Sequence, residues 1–415
     1  MARRTKPRNV SVTMYNVGFG DCFLLSFEYA DSDVRRVLID CGTTSERKPH
    51  MTKVVDRILA DSGGHVDAVV VTHRHQDHLS AFGLAGLGKK LASLDPEVVI
   101  QPWTEHPEAD PQAEAAPAVL TAAAHRQRVA LREAQKFAAH LVAEPDRVLA
   151  GVAPRERRVL EKIAALSIPN KKAILCLAGM GKRRAYVSAG SRSGLEDLLP
   201  GVRVSVLGPP TLAQTETIRT QTQWDSDEFW KLWAGLAGVS AAHAPTAGGR
   251  SALFPRSPTR SIARAQSFVR WLVDKADSAN GHNVRRIVRA MDGALNNTSV
   301  VLLFEVDGKG LLFPGDAQLE NWQYALASKK NRQRLRSTAL YKVGHHGSTN
   351  ATPQSLWKLF RGRKARPPRL ITLLSTEKGC HQGVPRKSLV DALEEKTDLY
   401  CTQSWRGKLS ETITV

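Results

Sequence analysis

The sequence predicts an α/β fold in which a strand-rich core is interrupted by helical insertions. Three observations carry that prediction. Val69, Val70 and Val71 form a β-branched run that opens onto the polar cluster Thr72-His73-Arg74-His75-Gln76-Asp77-His78, as a buried strand does when it ends in a loop. Residues 9–42 alternate and turn like a β-meander. From about Glu105 to Lys182 the chain becomes rich in Ala, Arg, Glu and Leu, with Val129, Leu131, Phe137, Leu141 and Val142 at roughly helical spacing.

Taken in order, the first eight residues are basic but no apolar run follows, so neither a signal peptide nor a membrane span is expected. Val10 to Tyr15 alternates, Gly18-Phe19-Gly20-Asp21 makes a turn, and Cys22 to Phe27 is a second strand. Arg36 to Gly42 is a third, ending on an acid, Asp40, and a glycine, Gly42. A helix over Met51–Ala60 and a strand over 67–71 lead into the polar cluster.

Three imidazoles and a carboxylate within six positions are a metal-ligand set. His73 and His75 lie two apart, so in extended backbone they point the same way and can clasp one cation. Asp77 and His78 then face a neighbouring position. Nitrogen and oxygen donors without thiolate suit Zn²⁺, and Mn²⁺ or Fe²⁺ less specifically.

This stretch resembles the signature of the metallo-β-lactamase superfamily. The resemblance implies a four-layer αββα sandwich with one or two metal ions at an edge, Zn²⁺ first and Mn²⁺ second. Within the superfamily, Val17-Gly18-Phe19-Gly20-Asp21 followed by Leu38-Ile39-Asp40-Cys41-Gly42 is similar to the metallo-hydrolase domain of the DNA-uptake protein ComEC and its free-standing relatives. On that resemblance Asp40 accepts a hydrogen bond from a ligand histidine and Asp21 steadies the loop. The alternative for each is an ordinary turn carboxylate capping a backbone N–H.

The motif order continues downstream. Val202 to Leu207 is a strand ending in Pro209-Pro210, and Asn296-Asn297-Thr298-Ser299 precedes the strand Val300–Val306. An Asp307-Gly308 turn closes a hairpin, and Gly315-Asp316-Ala317 follows. By resemblance Asp316 bridges two metals. The wider superfamily carries a histidine near 296–299 and none stands there, so one metal position is short of a ligand. Tyr341-Lys342-Val343-Gly344-His345-His346-Gly347-Ser348 looks like the group's K-V-x-H-H-G-S signature, in which one of His345 and His346 closes the second metal site. Asn297, Ser299, Lys342 and Ser348 are candidate substrate-binding residues. His381, near Pro385, is a candidate to protonate the leaving oxygen or hold a phosphate. Leu370–Ser375 is a strand, and 399–402 with 411–415 reads as a terminal hairpin. Asp77 and Asp316 are the candidate proton acceptors.

One domain of the metallo-β-lactamase fold is therefore expected over 1–415. Its core spans about 9–100, 200–210 and 295–415, with mainly helical insertions at about 101–199 and 211–294. The 415 residues hold 59 Lys plus Arg against 40 Asp plus Glu, a net charge of +19. That excess favours a polyanionic partner. In the second insertion, predicted helices at Ser226–Leu236 and Arg260–Lys275 carry Arg260, Arg264, Arg270 and Lys275 near Trp271. Arg285, Arg286 and Arg289 follow, and Trp224, Trp230 and Trp233 precede them. This is the composition of a strand-binding groove or of a solvated basic face. Five cysteines without a C-x-x-C pair read as reduced thiols in a cytoplasmic protein.

The expected activity is a metal-dependent phosphodiesterase or nuclease on DNA or RNA. Alternatives are a hydrolase of a small ester, lactone or phosphocholine-type substrate, and a nucleic-acid-binding partner that does not cut. A protein partner in a larger system is open.

Overall fold

The structure, a computed structural model, describes residues 6–45, 48–106, 138–149, 152, 154–167, 170–211, 214–215, 293, 295–364, 367–381 and 383–415. The opening meander forms as the alternation predicts. Strands β1 (Asn9–Tyr15), β2 (Cys22–Glu28) and β3 (Val34–Cys41) pair antiparallel in sequence order. Helix α1 (Lys48–Ser62) carries the chain across to β4 (Ala68–Val70), which runs parallel to β3. Helices α2 (Gln76–Gly83) and α3 (Leu87–Ala92) precede β5 (Val98–Pro102), parallel to β4.

The first insertion is helical over 138–143 and in α4 (Pro154–Ser167) and α5 (Lys171–Gly179). Leu141 is buried there and Val142 is exposed, whereas Val129, Leu131 and Phe137 lie outside the described residues. The segment also returns a strand that its helical reading did not include. Strand β6 (Arg183–Val187) adds in parallel to β5 at the sheet edge, with Arg183 and Arg184 exposed. Two solvated arginines mask its apolar signal, as befits an edge strand.

The second sheet begins with β7 (Arg203–Gly208), which leads into Pro209 and Pro210. Strands β8 (Val301–Val306) and β9 (Lys309–Phe313) form the predicted hairpin. Its two turn residues, Asp307 and Gly308, have φ of 50° and 74°, the left-handed pair that matches the twist of a two-residue hairpin. After α6 (Leu319–Ala327), β10 (Thr338–Lys342) and β11 (Leu370–Leu374) pair in parallel, with α7 (Gln354–Leu359) between them. Helix α8 (Lys387–Lys396) precedes β12 (Thr397–Cys401), and β13 (Ser410–Thr414) ends the chain.

The expected terminal hairpin does not form. Strand β12 pairs parallel with β11, and β13 pairs antiparallel with β1 in the other sheet. The strands instead close the two sheets, in the orders β13-β1-β2-β3-β4-β5-β6 and β12-β11-β10-β9-β8-β7.

The two sheets stack through one apolar layer. Phe23 and Phe27 of the first meet Phe313 and Phe304 of the second, with ring centroids at 5.7 Å and 6.0 Å. Helices cover both outer faces. Val54, Val55, Ile58, Phe82 and Leu177 pack on Leu24, Leu38 and Val69, while Trp322, Leu356, Trp357 and Leu389 pack on Leu303, Leu312 and Tyr341. The result is a four-layer αββα sandwich. Each fully buried Leu, Val or Phe contributes about 1.5–3 kcal/mol relative to exposure, so this layering holds the strand ends in fixed relation.

Cys22 and Cys41 are buried opposite each other on β2 and β3, and neither is in a disulfide. No helix among the described residues is long and apolar enough to cross a membrane. The predicted helices at Ser226–Leu236 and Arg260–Lys275, with their arginines and tryptophans, lie outside the described residues.

Candidate metal centre

The loop after β4 leaves the sheet through Val71, whose N–H donates to Ile100 O at 2.9 Å. Thr72 then anchors it from both sides. Its N–H and Oγ1–H donate to the two carboxylate oxygens of Asp40, each at 2.7 Å, and its carbonyl accepts from Val300 N at 2.9 Å. His73 and His75 follow in the loop, and His75 stands at the N-terminus of α2, which places Asp77 and His78 in its first turn. All four are buried, with ring centroids of His73 and His78 only 4.2 Å apart.

Close backbone approach makes this possible. Asp21 N donates to Asp77 O at 2.9 Å, and Gly42 N donates to Asp21 O at 3.1 Å. A Cβ on Gly42 would lie 2.5 Å from the backbone nitrogens of His78 and Leu79. The glycine after Asp40 is therefore required by the start of α2.

The second sheet delivers the remaining groups. Asp316 follows β9, with its N–H donating to Ser299 Oγ at 3.1 Å. Its carboxylate is divided. Oδ1 accepts from Lys342 Nζ at 3.3 Å and from His345 N at 3.1 Å. Oδ2 faces Nε2 of His78 at 3.1 Å and Nε2 of His346 at 3.5 Å. After β10 both His345 and His346 are left-handed, at φ 46° and 51°. Such strain in side chains with a Cβ persists only when surrounding contacts enforce it. Here Nδ1 of His346 meets Ser375 O at 2.9 Å and Nε2 meets Asp77 Oδ2 at 3.0 Å.

Asp77, His78, Asp316 and His346 each offer one ligand atom, and these atoms lie within 4.8 Å of one another. Nε2 of His73 and Oδ1 of Asp77 are buried without a hydrogen-bond partner, which is uncommon for buried polar atoms. A nitrogen and carboxylate donor set with uncommitted buried atoms fits a divalent cation. The outer contacts fit as well. Asp40 Oδ2 meets His78 Nδ1 at 2.8 Å, and a carbonyl holds Nδ1 of His346. Each leaves Nε2 turned inward as a ligand atom.

Charge is balanced inside the cluster. Burial raises Asp77 and Asp316, but His78 acts on both, joined by His346 on Asp77 and Lys342 on Asp316. The net result is a carboxyl well below its ordinary value in each case. Burial lowers His78, and Asp316 and Asp40 overcome it to raise the imidazole. His73 and His75 are lowered, chiefly by burial.

Among the other predicted residues, His345 is outside that four-residue cluster. Its side chain is 23% exposed, Nε2 is 4.0 Å from Asp316 Oδ2, and Nδ1 is 3.0 Å from Ser348 Oγ. Ser348 thus orients His345. His381 is half-buried against Phe19 at 4.5 Å between ring centroids, and Phe19 lies 4.3 Å from His346. Asp21, expected to steady the loop, does so through its backbone and also pairs its carboxylate with Lys342.

Three expected substrate contacts point elsewhere. Lys342 is buried, and its Nζ is held by Gly315 O, Asp316 and Asp21. It sits beside the second acidic grouping, Asp21, Asp40 and His78, as a built-in cation. Asn297 is buried and donates to Glu320 at 3.1 Å, and Ser299 accepts from Asp316 N. A lysine on a buried strand satisfies its charge locally because leaving it unpaired is costly. Thr72 and Ser375, which position the histidines, carry no signal in the sequence beyond their proximity to the motifs.

Residues 15–100 match the family model of the metallo-beta-lactamase superfamily, a stretch running from the end of β1 through the ligand loop into β5. No curated protein matches the chain. The match and the buried Asp/His cluster together support a metal-dependent hydrolase.

Proposed function

We propose that the protein is a metal-dependent phosphodiesterase that cleaves nucleic acid. The observation that supports hydrolysis is the convergence of Asp77, His78, Asp316 and His346 from two sheets onto one buried point. The net charge of +19 favours a polyanionic substrate, as does the ComEC-like order of motifs from Val17 to Ser348.

A divalent cation, Zn²⁺ or Mn²⁺, held by these residues supplies Lewis-acid activation of water near neutral pH. The chain's own groups do the rest. Asp77, ionised and with Oδ1 uncommitted, is placed to hold the cation rather than to act as a strong base, because its carboxyl is held well below its ordinary value. Asp316, fixed through Oδ1 by Lys342, presents Oδ2 to the cluster. His345 at the rim, oriented by Ser348, can donate to a phosphate oxygen. His381, held by Phe19, is the candidate to protonate the leaving oxygen.

The test is cleavage of end-labelled single-stranded DNA, duplex DNA and RNA by purified protein with Mn²⁺ or Zn²⁺, beside Asp77→Ala/His78→Ala. Metal-dependent products that vanish in the variant support the reading. Hydrolysis confined to a small ester, lactone or phosphodiester would replace the substrate class. Metal-independent binding of nucleic acid without cleavage would favour a non-cutting partner.

A further inference from the structure

The four ligand candidates of the loop, His73, His75, Asp77 and His78, are interleaved with Arg74 and Gln76, and both of those side chains reach into the first insertion. Arg74 donates through Nε to Glu105 Oε1 at 2.8 Å and through Nη2 to Oε2, a two-point guanidinium–carboxylate pair with side chains 19% and 9% exposed. Gln76 Oε1 accepts from Asn170 Nδ2 at 3.1 Å.

Both partners are themselves fixed. Glu105 ends the turn Trp103–Glu105 that follows β5, and the buried Trp103 donates through Nε1 to Pro210 O at 3.4 Å. Asn170 caps α5, its Oδ1 accepting from Ala173 N at 3.1 Å. Gly83, at the far end of α2, also lies against Asn170, where a Cβ would come within 2.4 Å of its Oδ1. Ala173 and Leu177 of α5 share the apolar cluster of Leu79 and Phe82 on α2.

We infer that the first insertion is a clamp on the ligand loop, with Glu105 and Asn170 as positioning residues for the metal centre. This rests on the metal-centre reading above. Residues 71–75 lie outside any strand or helix, so the directions of His73 and His75 depend on how Arg74 between them and Gln76 after them are tied. Groups held in place before binding lose less freedom when the ion arrives. Glu105 also offsets the positive charge that Arg74 places in the loop between His73 and His75.

The experiment uses the full chain, stripped of metal and titrated with Zn²⁺ against a chelator and with Co²⁺ by visible absorption. Glu105→Gln and Glu105→Gln/Asn170→Ala are compared with wild type, and the melting temperature of each metal-free protein is recorded separately. The expected result is a loss of affinity of roughly 10- to 100-fold and an altered Co²⁺ spectrum in both variants, whatever the change in metal-free melting, which Asn170→Ala lowers through the lost α5 cap. Arg74→Gln/Glu105→Gln, which removes both charges, regains part of the loss seen in Glu105→Gln. Unchanged affinity and spectrum, with or without lowered melting, would overturn the clamp. Wild-type protein that binds no divalent cation would instead overturn the metal-centre reading, and the clamp with it.

Discussion

Asp40 accepts two hydrogen bonds from Thr72 and faces Nδ1 of His78 at 2.8 Å, so one carboxylate at the end of β3 ties the loop backbone and a ligand imidazole together. Replacing it with Asn puts an amide N–H where an acceptor is needed and favours the wrong imidazole tautomer. Asp40→Asn should weaken metal binding by roughly 10- to 100-fold, measured by chelator competition. Wild-type affinity would show that His78 is oriented by other contacts.

His345 and His346 separate into two roles. His346→Ala removes a member of the cluster and should lower bound metal per chain. His345→Ala should keep the metal content while lowering turnover, because His345 lies outside the four-residue cluster. Metal analysis and steady-state rates on the same preparations decide between these assignments.

Lys342 is a stability determinant by its placement. Burial pulls its ammonium down, but Asp21 and Asp316 hold it raised. Lys342→Met leaves two buried carboxylates without their cation and should cost about 3–5 kcal/mol, read by denaturant unfolding of the metal-free protein. Lys342→Met/Asp21→Asn should recover part of that loss. Equal instability in both variants would point to packing rather than charge.

The metal-free protein should be most stable near the ordinary histidine value of 6.5. His73 and His75 are lowered and burial pulls His345 to about 4, so their contribution is lost as pH falls below 6.5 toward their folded values. His78 and His346 are raised; their contribution is present below 6.5 and is lost as pH rises through their folded values. Cation affinity should climb over that upper range, because the ion displaces those protons. Thermal melts of chelator-treated protein from pH 5 to pH 9 test the first statement and zinc titrations the second.

Gly42→Ala should disturb the start of α2, since the added methyl meets the backbone at His78 and Leu79. The expected phenotype is reduced folding yield and lower metal content together. A well-folded, fully loaded variant would show that the β3 end can move away from α2.

How far the sequence could be read follows from where each signal lies. His73 to His78 stand in one short motif whose spacing marks them as candidates, whereas Asp40 and Asp316 are marked by the resemblance to the metallo-β-lactamase superfamily. The sandwich core was legible because Val10–Tyr15, Cys22–Phe27 and Val300–Val306 are strongly patterned. The burial of Lys342, Asn297 and Ser299 has no sequence signal, because sequence does not reveal which face of a strand or turn meets the opposite sheet. The turn signal at Gly407 between β12 and β13 suggests a hairpin, whereas their partners, β11 and β1, carry no local mark of the pairing. The pairs Arg74–Glu105 and Gln76–Asn170 span 31 and 94 positions and left no local trace.

The most direct measurement is a titration of metal-depleted protein with Mn²⁺ or Zn²⁺ in which bound ion and hydrolysis of labelled nucleic acid are followed in the same samples, for wild type and Asp316→Ala. Hydrolysis should grow in proportion to bound ion in the wild type, and Asp316→Ala should lose both. Hydrolysis that persists in Asp316→Ala, or full loading of the wild type without hydrolysis, would contradict metal-dependent cleavage at this centre.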